Sequence, residues 1–94
     1  MNFDAIDRPA VLKALAKCDE SSRDEFLKEF GFNRALKYEV VHDGKRYDSK
    51  AIVGVAHGYA TGIFLRPHQF SGGRKVTSRL EELGFEIAGV SAPH

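Results

Sequence analysis

Ser71-Gly72-Gly73-Arg74-Lys75 is the segment whose composition most directly suggests chemistry. A helix that starts there offers unpaired amides and a partial positive charge. Two glycines let an anion approach the backbone, Ser71 adds a hydroxyl, and Arg74 and Lys75 add charge. The segment lacks the glycine-to-Lys-Ser/Thr spacing of a nucleotide-binding P-loop. A second cluster, Lys45-Arg46-Tyr47-Asp48-Ser49-Lys50, runs from a strand into a helix start. Lys50 falls in the first helical turn, where a cation opposes the helix dipole, so it needs an acid or a phosphate as partner. His57 stands on the same helix between Gly54 and Gly58; small residues at that spacing let another element pack closely. We therefore take Lys45, Arg46, Lys50, His57, Ser71, Gly72, Gly73, Arg74 and Lys75 as the candidate anion contacts.

Catalytic alternatives are weaker. Asp48-Ser49-Lys50 matches the acidic-x-Lys part of metal-dependent nuclease sites, but such a site needs a second carboxylate from another strand. Asp43 lies at a hairpin tip. His42, His57, His68 and His94 with Cys18 have no zinc-ligand spacing, and Cys18 sits on an apolar stripe. The expectation is no catalytic residue, no metal and no cofactor.

Charge supports an anionic partner. The 94 residues carry a formal net charge of +1, yet residues 34 to 80 hold nine basic and three acidic side chains. A local excess of that size suits a polyanion. The length allows one small domain and excludes the large dinucleotide and barrel folds. One cysteine forms no internal disulfide, and no signal peptide or membrane span is recognisable, which predicts a cytoplasmic location.

The elements that position these residues are readable from pattern. Asp7 before Arg8-Pro9 starts a helix over about 8 to 17, with Val11, Leu12, Leu15 and Cys18 inward. Ser22 to Glu25 is a capping box for a helix ending at Gly31. Asp43-Gly44 within the extended run from Tyr38 to Tyr47 is a hairpin turn pairing Val40 with Tyr47, which puts Tyr38, Val40 and Tyr47 on the apolar face and Glu39, Val41, Arg46 and Asp48 on the other. Ser49 is placed as the cap of a third helix with Ile52, Val55, Ala56 and Tyr59 inward. A fourth helix follows Gly73, with Val76, Leu80 and Leu83 inward, and stops at Gly84 with Phe85 folding back onto Leu80. Residues 85 to 90 alternate as a last strand. The expected fold is α+β: a small antiparallel sheet, hairpin plus C-terminal strand, packed with about four helices. Residues 1 to 90 form one domain, and 91 to 94 begin a linker.

The block from Glu39 to Gly54, then Phe70-Ser71-Gly72-Gly73, then Leu80-Glu81-Glu82-Leu83-Gly84-Phe85, resembles the N-terminal head domain of ScoMcrA-like modification-dependent restriction endonucleases. The likeness runs from about Arg8 to Phe85; many relatives carry Pro-Pro before the Lys where this chain has Asp48-Ser49. In that family the head precedes modules that read modified DNA, methylated or phosphorothioated, and a C-terminal HNH nuclease. The resemblance implies a non-catalytic DNA-binding accessory domain that contacts DNA phosphates and helps to sense modified DNA, with duplex DNA, modified DNA included, and the other domains of the parent protein as partners and any cleavage lying outside this chain. The alternative is a protein interaction or dimerisation module of the same enzyme.

Overall fold

In the computed structural model, which describes residues 3–34, 37–71 and 73–89, the start signals of the first two helices and the glycine stops at Gly31 and Gly84 have physical counterparts. Helix α1, Arg8–Asp19, begins at Asp7, whose carboxylate accepts from the Ala10 amide at 3.0 Å. Helix α2, Arg23–Phe30, has the reciprocal box: the Glu25 amide donates to Ser22 Oγ and the Ser22 amide to Glu25 Oε1, each at 3.2 Å. Gly31 ends it at φ 80°.

Strands β1, Tyr38–His42, and β2, Lys45–Asp48, are joined by Asp43 and Gly44, both at positive φ as a two-residue hairpin turn of matching twist requires. Their register pairs Val40 with Tyr47 and Glu39 with Asp48. Helix α3 spans Ser49–Thr61, a short 3-10 helix Pro67–Gln69, and α4 Arg74–Glu82; β3, Glu86–Gly89, pairs antiparallel with β1 to complete the order β2-β1-β3. At the end of α4, Gly84 lies at φ 89° and the Phe85 amide reaches Leu80 O at 3.0 Å. Arg8 adds a cation there, donating to Leu83 O at 2.7 Å with its guanidinium 4.5 Å from the Phe85 ring centre. The fold is the expected α+β arrangement of four helices and a three-stranded antiparallel sheet. The start of the linker, residues 91 to 94, lies outside the described residues, as does Val90.

The core joins Ile6, Val11, Leu15, Phe26, Val40, Tyr47, Ile52, Val53, Val55, Val76 and Leu80. Helix α3 is central and packs most extensively on α1. It is buried on every side from Ala51 to Ala56, as its all-round apolar composition requires. Among the described residues no helix is long and apolar enough to cross a membrane.

Three expected placements differ. Leu12 and Tyr59 are each 38% exposed and lie off the core stripes, although Tyr59 was placed inward with Ile52 and Val55. The cap of α3 is Asp48; Ser49 is the first helical residue and donates its hydroxyl to Tyr38 O at 2.9 Å, tying the helix start to β1. Tyr59 turns outward because the glycine face of α3 is the one that is covered. A Cβ on Gly54 would stand 2.6 Å from Phe32 Cζ and 3.1 Å from Leu65 O, and one on Gly58 would run into the Phe64 ring. The two glycines therefore serve close packing of Phe32 and of the segment after the helix. Gly54→Ala is expected to lower stability by about 1 to 2 kcal/mol despite the helix-propensity gain, because the buried Phe32 ring and a backbone carbonyl must both give way. Denaturant unfolding that shows Gly54→Ala as stable as the parent would contradict that packing.

Candidate functional site

Two helix starts meet at one cleft of about 510 Å³, and the loop between α2 and β1 closes its third side. Ser49 and Lys50 come from α3, with Asp48 just before it; Ser71 and Gly73 come from the turn into α4. Asn33, Arg34, Lys37 and Tyr38 come from the loop and the first residue of β1, and Phe32 and Pro67 complete the walls. Neither α3 nor α4 has a side-chain cap or an acidic residue in its first turn. Helix α2 has both. Lys50 at the first turn of α3, and Arg74 and Lys75 at that of α4, are thus cations set against helix dipoles. Lys50 Nζ lies 5.1 Å from the centre of the Phe70 ring, a cation–π contact. Among the described residues neither Lys37 nor Lys50 has a carboxylate partner.

Asp48 would oppose an anion in this cleft were it not neutralised. Arg23, the first residue of α2, spans it with two bonds, Nε to Oδ2 at 2.7 Å and Nη2 to Oδ1 at 2.6 Å, and also donates to Glu39 Oε2 at 3.1 Å. The fork matches the carboxylate geometry. Its two hydrogen-bonded acids hold the guanidinium above its ordinary pKa, chiefly through the Asp48 bond. The polar face of the sheet is therefore a covered ion-pair network, with Glu39 and Asp48 5% and 4% exposed.

The candidate contacts read from the sequence separate into groups. Lys50, Ser71 and Gly73 share the cleft. Arg74 and Lys75 line a shallower depression beside it with Phe3, Asp4, Ser78, Arg79 and Glu82. Arg46 is held by Glu39 at 3.0 Å and by Gly89 O at 3.3 Å. Lys45 lies 3.5 Å from Asp19. His57 Nδ1 donates to Ile63 O at 2.6 Å and fastens the end of α3 to the segment after it. Gly72 lies outside the described residues. Arg34, Lys37, Tyr38, Phe32, Asn33 and Pro67 were not singled out; Arg34 and Lys37 were counted in the basic segment, and that excess was the signal that could have found them. Among the described residues no group of three or more His, Cys, Asp or Glu is placed to hold a metal.

Over residues 4–89 the chain matches the family described as ScoMcrA-like, N-terminal head domain. The chain belongs to that family. Among solved structures it is similar to that of the type IV phosphorothioation-dependent restriction endonuclease ScoMcrA, at 29% identity and a TM-score of 0.73. The alignment covers 96% of this head domain and 14% of the ScoMcrA chain. The head domain thus corresponds to a small part of that enzyme. No curated protein matches the chain.

Proposed function

We propose that this head domain is a non-catalytic DNA-binding accessory of a modification-dependent restriction endonuclease, with the cleft between the starts of α3 and α4 as its phosphate-contacting centre. The observation that carries this reading is the convergence on one cleft of two helix starts without side-chain caps and of Lys37 and Lys50, both without a carboxylate partner among the described residues. Arg74 and Lys75, exposed at the start of α4, extend the basic surface beside it, and Arg34, which pairs with the exposed Asp24, can exchange that partner for a phosphate. Arg46 and His57 fall outside the proposed contact set because Arg46 Nη1 is bonded to Glu39 and to Gly89 O and His57 Nδ1 to Ile63 O; Lys45, 3.5 Å from the partly exposed Asp19, lies away from the cleft. Phosphate contacts of this kind position a protein on DNA without reading its sequence, so recognition of a modification is assigned to other modules of the parent.

Fluorescence anisotropy of the isolated domain with a duplex is expected to show weak binding. Contact with about 3 to 5 phosphates gives a log-log salt slope near −3 to −4. Lys37→Ala and Lys50→Ala should each weaken binding about three- to tenfold and reduce the slope by about 1, with the thermal midpoint unchanged. Absence of binding at low salt would refute the reading. A second reading, docking on another domain of the parent, is favoured by Ile63 and Phe64, which are 62% and 44% exposed next to Tyr59. That contact would be largely insensitive to salt and abolished by Ile63→Ser, whereas DNA binding would be unaffected by it.

A further inference from the structure

The walls of the cleft are more apolar than polar, and its volume falls within the range of pockets that enclose a small molecule. A backbone phosphate needs neither property. It would rest on the cationic rim and leave the interior, walled by Phe32, Tyr38 and Pro67, unfilled. A planar ring attached to an anion satisfies both halves of the site: the ring occupies the apolar interior while its phosphate meets Lys37, Lys50 and the α4 start.

We infer that the cleft takes one unstacked nucleotide of DNA, from a single strand or extruded from a weakened pair, with its base against Tyr38 and Phe32 and its phosphate between Lys37 and Lys50. This rests on the DNA-binding reading and specifies what the cleft encloses. Phe32 is fixed, since it is buried and packs edge-on to Phe70 with ring centres 6.2 Å apart. Lys50 is steered over the same Phe70 ring, so one aromatic cluster sets both the wall and the cation. Tyr38 is half-buried at the start of β1, and Ser49 Oγ bonds its carbonyl, which joins it to the turn that presents Lys50. Asp48 is turned to Arg23 and so leaves the cleft electrostatically open to the phosphate. Extruding a base costs least where pairing is already weak, so occupancy should favour single strands and mismatches over matched duplex.

The test uses the 94-residue chain with three DNA probes of one sequence: a matched duplex, the same duplex with 2-aminopurine in a mismatched pair, and the single strand carrying 2-aminopurine. The mismatched and single-stranded probes should bind about tenfold more tightly than the matched duplex, the scale of one base–aromatic stacking contact. Tyr38→Ala should abolish that preference and leave the salt slope intact, while Lys50→Ala weakens all three probes. Tyr38→Leu, which retains apolar bulk in the strand, checks that the loss is one of stacking and not of folding; it should also lose most of the preference with an unchanged thermal midpoint. Equal affinity for the three probes, or a preference that survives both Tyr38 variants, would overturn the nucleotide inference and leave the phosphate-binding reading standing. Failure to bind any probe would overturn both.

Discussion

Replacing Arg23 by Met is expected to destabilise the domain by about 3 kcal/mol, and to weaken DNA binding at temperatures where the variant is still folded. Glu39 and Asp48 are direct cross-strand partners, and like charges in that relation repel. Both are almost fully buried, and Arg23 bonds both at once. Arg46 holds Glu39 from the other side, while Asp48 loses a two-bond fork at 2.6 and 2.7 Å. Removing one partner of a buried pair leaves a desolvated charge and costs about 3 to 5 kcal/mol; the lower end applies because a third of the Arg23 side chain is exposed. For a domain of this size that corresponds to a drop in thermal midpoint of more than about 12 °C. Asp48 also borders the cleft, so its carboxylate, no longer neutralised by Arg23, would repel the phosphate proposed to meet Lys50. Arg23→Met with Asp48→Asn should recover part of both losses, since the double change removes the stranded charge. A single variant within about 1 kcal/mol of the parent would show that the network contributes little to the sheet.

The same network marks where reading the sequence stopped. The hairpin was legible because Asp43-Gly44 permits one turn geometry and the flanking residues alternate; the register follows from the turn alone. The stops at Gly31 and Gly84 were legible for the same reason, a left-handed residue at a helix end. The pairing of Arg23 with an acid 25 positions away was not, because it depends on α2 being laid across the sheet. Arg46 and Lys50 look alike in the sequence, four residues apart in one basic run, yet one lies on a strand and pairs with Glu39 and the other is rotated by the helix start towards Phe70. Counting cations identified the basic half of the chain and could not divide it into structural and free members. The error at Tyr59 has another origin. Residues 51 to 56 are apolar on all sides, so periodicity gives no outward direction, and the covering of Gly54 and Gly58 by later residues decided it. The cleft residues Asn33, Arg34 and Lys37 come from a stretch of sequence with no periodic signal.

Tyr47 should give the domain a marked alkaline sensitivity. Its ring is 4% exposed and its hydroxyl donates to Asp19 Oδ1 at 2.8 Å. Burial first, and then the bond to that carboxylate, raise the phenol well above its ordinary 10.0. Because the raised pKa belongs to the folded state, the contribution is complete below pH 10 and is lost as pH climbs from there towards the folded value: the unfolded chain releases the proton and the native one keeps it. Stability should fall by about 1.4 kcal/mol per pH unit in that window from this group alone. The Cys18 thiol, raised above 9.0 by burial and then by Asp19, lowers stability in the same direction as pH rises past 9.0. Tyr47→Phe isolates the phenol. Near neutrality it should cost about 1 kcal/mol, the hydrogen bond to an acid that is partly exposed and can return to water. Above pH 10 the variant lacks the phenol's slope, so the two stability curves should converge and cross near about pH 11. Urea unfolding of parent, Tyr47→Phe and Cys18→Ala between pH 8 and 11.5 would show it, and parallel curves for parent and Tyr47→Phe would mean that the phenol titrates alike in both states. The same acid accepts the Lys45 ammonium at 3.5 Å, so Tyr47→Phe should leave DNA affinity at pH 7 unchanged: Asp19 retains Lys45, and neither residue reaches the cleft.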